Sequence, residues 1–308
     1  MTRGDNAVTE PTYQRISLAT GVRLNLAMAG PEDGEPIMLL HGFPESHRTW
    51  RHQLDALADR YRLYAPDQRG FAASDKPEGV ENYETDRIVA DVIALADALG
   101  LDQFTLAGHD WGGAVAWTAA LIHPGRIRRL IIVNAPHPLV FQKSLIDDPA
   151  QREASQYISF FRSPAAEAAI TGMGLEGFLD RVMLSHADPA KLAPEERQNY
   201  LDDWSQPGVL TTMLNWYRAS KIVVPEPGED AKPPLWTHAP FPKLKMPVLV
   251  IWGLKDSALL PVQLDGLHDL IEDLRLVTSP TAGHFITWEE PGFVTGAIRD
   301  FMTETAEI

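Results

Sequence analysis

The chain has 308 residues, 44% hydrophobic and 22% charged, which is the make-up of a globular enzyme with room for a large core or for a core and an insertion. Lys and Arg number 27 against 42 Asp and Glu, and the resulting net charge of -15 argues against nucleic acid or anionic membranes as partners. There is no cysteine, which excludes disulfides, thiolate nucleophiles and cysteine-ligated metals.

The opening MTRGDNAVTEPTYQ contains no apolar run of the kind a leader carries, and no stretch reaches the length of a membrane span. The expected location is therefore the cytoplasm. Ile16–Ala19 and Val22–Met28, joined at Thr20-Gly21, predict a hairpin. Ile37–Leu40 is a continuous apolar run, as expected of a strand covered on both faces of a parallel sheet, and it ends at His41-Gly42. Ser46 to Arg60 is helix-like, Tyr61–Ala65 is a short strand, and Ile88, Val92, Leu95 and Leu99 form one stripe of a helix stopped by Gly100. Phe104–Gly108 is a strand followed by a Gly-rich turn and the apolar helix Gly112–His123, and Ile127–Val133 is again strand-like. From about Pro136 to Pro242 the strands give way to helix-like pieces rich in Trp, Tyr, Phe and Pro. Sheet-forming sequence resumes at Val248–Trp252 and Leu274–Thr278, and a helix from about Pro291 closes the chain.

Strand and helix alternate as in βαβ units, so the expected class is α/β: a mostly parallel eight-stranded sheet flanked by helices. A helical cap would enter after the sixth strand. It would divide the chain into a first core segment (residues 1–135), a cap (136–242) and a second core segment (243–308). Such a cap would lie over the carboxyl ends of the strands, where open α/β sheets bind ligands.

The strongest local signal is Gly108-His109-Asp110-Trp111-Gly112, between a strand and a helix. It has the G-x-Nu-x-G spacing of a nucleophile elbow with aspartate at the nucleophile position, and Gly108 and Gly112 leave room where backbones must approach. A plain N-cap aspartate would not require glycines on both sides. Asp256, just past a strand, and His284, just past the next, follow in the order of nucleophile, acid and base. In His41-Gly42-Phe43-Pro44 the amide of Phe43 is the expected oxyanion donor, because Pro44 has no N–H; the Trp111 amide is the second donor. His41 reads as an orienting hydrogen-bonder within that turn and not as a base.

A carboxylate nucleophile displaces a leaving group from saturated carbon and leaves an alkyl ester, which His284 and Asp256 can hydrolyse by activating water. Epoxides and alkyl halides are suitable electrophiles. An alkoxide leaving group needs a proton, and Tyr157 and Tyr217 are the phenols available in the inserted segment. Taken alone, each tyrosine reads more readily as a packing residue of a helical lid than as an acid. Phe160, Trp204 and Trp216 are expected to line an apolar pocket. No dinucleotide or phosphate loop and no metal-ligand spacing is present, so neither cofactor nor metal is expected.

These motifs resemble the soluble-type epoxide hydrolases of the α/β-hydrolase fold. The resemblance runs through HGFPES at 41–46, DQRGFAASDKP at 67–77, GHDWGG at 108–113, NWYR at 215–218, WGLKD at 252–256 and AGHF at 282–285. It implies Asp110 as nucleophile, Asp256 as relay acid, His284 as base, Tyr157 and Tyr217 as activators of the epoxide oxygen, and a cis bond before Pro44. It further implies a small apolar epoxide and water as partners, and leaves the oligomeric state open. Haloalkane dehalogenases share GHDWG and the aspartate–histidine chemistry, but they usually carry asparagine where this chain has Phe43 and need no pair of phenols. Fluoroacetate dehalogenases match less well, with arginines where this chain has Trp111 and Ala114. A non-catalytic binding protein on this fold is the alternative from another class, and the intact Asp110, Asp256 and His284 set speaks against it.

Overall fold

A computed structural model describes residues 10–306. Residues 1–9, which carry most of the segment read above as lacking a leader, lie outside it. Eight strands form one sheet in the order β1-β2-β4-β3-β5-β6-β7-β8. They are β1 (Thr12–Ser17), β2 (Arg23–Ala29), β3 (Glu35–Leu40), β4 (Tyr61–Pro66), β5 (Phe104–His109), β6 (Ile127–Val133), β7 (Val248–Gly253) and β8 (Leu274–Ser279). The pairs β1/β2 and β2/β4 are antiparallel, and every pairing from β4 to β8 is parallel.

The central strands explain their own sequences. Every residue of β5 and β7 is buried, as expected of strands covered by helices on both sides. One face is covered by α1 (Arg51–Leu57) and the closing helix Pro291–Glu304, with Trp50, Leu54, Ile298 and Phe301 packed beneath them. The other carries α2 (Thr85–Ala98) and α3 (Trp111–Ile122), and it is continuous with the core of the cap. The opening strand runs further toward the N-terminus than its apolar residues indicated. Thr12 to Arg15 are exposed on an edge strand, so burial leaves no mark on that stretch of the sequence.

The cap is inserted after β6. It consists of α4 (Pro138–Asp147), α5 (Pro149–Ala154), α6 (Gln156–Arg162), α7 (Ala166–Leu179), α8 (Pro194–Ser205) and α9 (Val209–Ala219), followed by an extended stretch that leads back to β7. Two irregularities shape it. Within α7, Gly174 takes φ 79°, which breaks the helix there, and a π-helical turn at Asp180–Leu184 continues the same segment. The cap is held to the core by indoles and hydroxyls that reach core carbonyls. Trp204 Nε1 donates to the Pro44 carbonyl at 2.6 Å, Trp216 Nε1 to that of Arg69 at 3.1 Å, and Thr212 Oγ1 to that of Gly70 at 2.6 Å. Such a partner offsets the cost of burying an indole N–H.

Candidate active site

Asp110 stands at the sharp junction of β5 and α3 with φ 50° and ψ -122°, a backbone conformation that side-chain-bearing residues rarely adopt. It occupies the helix N-cap position, yet its carboxylate makes no capping hydrogen bond. The carboxylate points at the loop after β3 instead, where Oδ1 accepts the Phe43 amide at 2.7 Å. Crowding makes the glycines of the elbow obligatory. A Cβ on Gly108 would collide with the backbone of Gly112, and one on Gly112 with the carbonyls of Leu40 and His41. A Cβ on Gly42 would fall 2.6 Å from Asp110 Oδ1, so the glycine of the HGFP turn is what lets the carboxylate reach the Phe43 amide.

The turn is held from below. His41 Nε2 accepts the Gln68 amide at 2.9 Å, which leaves Nδ1 as the protonated nitrogen, 2.9 Å from the Gly42 carbonyl. His41 is wholly buried and burial holds its pKa below the ordinary imidazole value, in keeping with a neutral orienting role. The Phe43-Pro44 bond is cis.

His284 follows β8 and lies between two carboxylates: Nδ1 is 2.7 Å from Asp256 Oδ2, and Nε2 is 3.5 Å from Asp110 Oδ2. Burial alone would lower its pKa, but Asp256 and Asp110 outweigh that and raise it well above the ordinary value. For both aspartates burial works toward protonation, and the histidine more than offsets it. The two carboxylates thus favour a proton on the ring that lies between them. Asp256 is anchored by the amides of Ala258 and Leu259, each donating to Oδ1 at 2.9 Å, and by Asn134 Nδ2, which donates to Oδ2 at 2.7 Å.

Three supports were not read from the sequence. Asn134, at the end of β6 with φ 40°, also accepts the Gly253 amide at 2.8 Å, so it ties the acid to the end of β7. An Asn, a residue type that tolerates positive φ, just past a strand was the available signal. Glu45 and His109 are wholly buried behind the base, with His109 Nδ1 3.2 Å from Glu45 Oε2 and Nε2 donating to the His284 carbonyl at 2.8 Å. His186 in the cap accepts the His284 amide on its carbonyl at 3.2 Å, while its Nδ1 lies 2.7 Å from Ser257 Oγ.

Tyr157 on α6 and Tyr217 on α9 face each other with ring centroids 6.1 Å apart and planes at 86°. Tyr217 is fixed edge-on against Phe43 at 4.9 Å and Trp111 at 5.2 Å. Burial raises both phenol pKa values, with the Asp110 carboxylate adding to the effect, so both keep their protons across the physiological range. Asp110, Tyr157 and Tyr217 line two cavities at once, one of about 220 Å³ and one of about 550 Å³. Phe160 borders the larger. Trp204 and Trp216 line neither of them, contrary to the expectation from the sequence. Both are buried at the joint between cap and core, where their N–H groups find the carbonyls described above. No cluster of three or more metal-ligating side chains occurs among the described residues.

Residues 35–291 match the sequence profile of the alpha/beta hydrolase fold family. The chain belongs to that family. Asp110, Asp256 and His284 follow β5, β7 and β8 in the chain order of this fold's nucleophilic set, and the protein is a hydrolytic enzyme. Among its relatives, the AB hydrolase superfamily protein YfhM of Bacillus subtilis is 36% identical over 92% of this chain and 95% of its own length. Epoxide hydrolase A of Mycobacterium tuberculosis is 33% identical over 94% of this chain and 97% of its own. Among solved structures, an epoxide hydrolase from hot-environment metagenomes superposes with a TM-score of 0.87 at 45% identity, covering 94% of this chain and 98% of that one. The Bacillus megaterium epoxide hydrolase in complex with an inhibitor gives 0.84 at 31% identity, covering 94% and 100%.

Proposed function

We propose that this hydrolase opens a small organic epoxide to a vicinal diol through an alkyl ester on Asp110. The observation that carries the reading is the pair of protonated phenols, Tyr157 and Tyr217, on the same cavity walls as the Asp110 carboxylate. A halide leaves without needing a proton, whereas a ring oxygen leaves as a strong base still tethered to the substrate. The relatives named epoxide hydrolase point the same way. The reading divides the chain into a catalytic core, 1–135 and 243–308, and a cap, 136–242, that brings the phenols.

The two oxygens of Asp110 take different roles. Oδ1 is held by the Phe43 amide, so Oδ2 is the free nucleophile and attacks a ring carbon as the C–O bond breaks. Tyr157 or Tyr217 delivers the proton to the departing oxygen. In the ester, Oδ1 is the carbonyl oxygen. Water activated by His284 attacks the ester carbon, and the oxyanion forms on Oδ1 against the amides of Phe43 and Trp111. Asp256 orients the imidazole and balances its charge. On collapse the ring passes its proton to the departing alkoxide, the proton of the re-forming carboxyl group returns to the phenolate, and the diol leaves behind a carboxylate with one oxygen from water.

The test is isotopic. Single-turnover hydrolysis in heavy-oxygen water should leave the label in the Asp110 carboxylate, read by peptide mass, and none in the diol of the first turnover. Label appearing in the diol at once, with an unlabelled enzyme, would replace the covalent route with direct attack by water.

The charges around His284 also fix a pH response. Alkylation removes one of the two negative charges that raise the His284 pKa, so the imidazole titrates at lower pH in the ester than at rest. Ester hydrolysis needs the neutral ring and slows as pH falls through that value. Alkylation needs only ionised Asp110, whose pKa is held below the ordinary 3.8, and so continues. Rapid-quench mass measurement should therefore find the alkyl-enzyme fraction at steady state rising as pH falls from 8 toward 5. A fraction that falls or stays flat would contradict His284 as the base of the second step.

A further inference from the structure

A short stretch of the cap, residues 185–188 just past the π-helical turn Asp180–Leu184, reaches the loops that carry both the acid and the base. Toward the acid, His186 Nδ1 lies 2.7 Å from Oγ of Ser257, the residue after Asp256. Toward the base, the His186 carbonyl accepts the His284 amide at 3.2 Å. The backbone groups of His284 are thus pinned from opposite sides, the amide by the cap and the carbonyl by His109 Nε2 of the core at 2.8 Å. The fit is close. A Cβ on Gly283 would strike the His186 carbonyl oxygen, so a glycine at this place lets the cap rest on the base loop.

A third contact runs through a side chain that neither reaction step uses. Glu289 Oε1 accepts the Asp188 amide at 3.2 Å, and Oε2 accepts the Gly283 amide at 3.1 Å. One carboxylate therefore joins the cap to the residue beside the base. Accepting on both oxygens suits the ionised group, yet Glu289 is buried, and burial raises its pKa above the ordinary value. Burying a carboxylate is costly unless its oxygens are hydrogen-bonded, and here the bonds go to two segments far apart in the chain. Its own helix, Ile286–Glu289, is fastened to the core. Gln53 Nε2 donates to the Thr287 carbonyl at 3.1 Å, and Trp288 Nε1 to Glu45 Oε1 at 3.1 Å.

We propose that Glu289 is a positioning residue of ester hydrolysis: it clasps the cap to the base loop and so holds His284 where Nε2 can take a proton from the attacking water. This inference rests on the two-step covalent reading of the site. The steps differ in what they ask of the base loop. Ring opening draws on Asp110, the Phe43 amide and the two phenols, and takes from His284 only a nearby charge. Ester hydrolysis needs the ring itself, with Nε2 within hydrogen-bond reach of a water lined up on the ester carbon. Such alignment is lost with small displacements, so a loosened clasp should be felt in the second step.

The experiment follows both steps in wild type, E289Q and G283A. E289Q is isosteric, but its single carboxamide oxygen cannot replace both acceptors, and its NH2 group turns a donor toward one of the two amides. G283A keeps Glu289 and wedges the cap carbonyl off the base loop instead. Each protein is mixed with an epoxide that wild type turns over and quenched for intact-protein mass. Asp110 alkylation should stay within about threefold of wild type, while decay of the alkyl-enzyme slows about 10- to 100-fold. At steady state kcat and KM should fall together and leave kcat/KM nearly unchanged, a split that loss of folded protein would not produce. The double variant should be little slower than the slower single, since both open one clasp. Should G283A fail to fold, E289Q carries the test alone. If alkylation and ester decay slow by the same factor, if E289Q leaves ester decay at the wild-type rate, or if the two losses multiply, the clasp is overturned and the covalent reading stands. If no alkyl-enzyme is trapped from wild type or either variant, the covalent reading itself fails.

Discussion

H284Q should react once and stop. In this variant Asp110 Oδ1 still has the Phe43 amide, and both phenols remain in place, so ring opening proceeds and the ester forms. No base is left to activate water, and ester hydrolysis should slow by about three orders of magnitude, roughly 4 kcal/mol. Intact-protein mass should show the enzyme heavier by one substrate, with an initial burst of about one equivalent. Some slowing of the first step is expected too, because the cation that helps keep Asp110 ionised is gone. The distinction between the steps survives, since only the second needs the ring as a base. A folded H284Q with neither turnover nor adduct would mean that His284 acts before the ester forms, and the division of labour proposed above would be wrong.

The sequence was most legible where local geometry demands special residues. The elbow announces itself because Gly108 and Gly112 sit where any Cβ would strike backbone. The buried strands β5 and β7 announce themselves as unbroken apolar runs. The supports behind the site left weaker traces, because they depend on segments far apart in the chain. Glu45 belongs to a turn after β3 and His109 to the end of β5, and nothing local tells that the two meet under the His284 carbonyl. Trp204 and Trp216 show a different limit. An aromatic residue in a cap helix can face the cavity or the core, and for a tryptophan an N–H partner on the core side favours the core. For these two the partners are the Pro44 and Arg69 carbonyls, on the core side. The same ambiguity applied to Tyr157 and Tyr217, and their composition alone did not separate packing from chemistry. Their position on both cavities beside Asp110 is information only the fold carries.

Replacing both phenols, in Y157F/Y217F, should nearly abolish ring opening while each single variant retains measurable activity. Either phenol alone can donate to the ring oxygen, so Y157F and Y217F should each lose only about 10-fold in the alkylation rate. With neither, the alkoxide must leave unprotonated into an apolar cavity, and the loss should exceed about a thousandfold, beyond roughly 4 kcal/mol in the barrier. The effect should be non-additive, because one donor substitutes for the other. Tyr217 packs against Phe43, Trp111 and Phe161, so a phenylalanine that keeps the ring keeps those contacts. Tyr157 likewise keeps its edge contact with Phe161. The substitutions thus remove two hydroxyls and little else. A displaced cap is the competing explanation, and binding of the diol product reports it: binding within a few-fold of wild type places the loss in the chemical step. The decisive quantity is the pre-steady-state rate of Asp110 alkylation by an epoxide that wild type turns over. If the folded double variant alkylates close to the wild-type rate, the phenols only pack. The leaving group would then need no proton, and the site would be better read as one for alkyl halides.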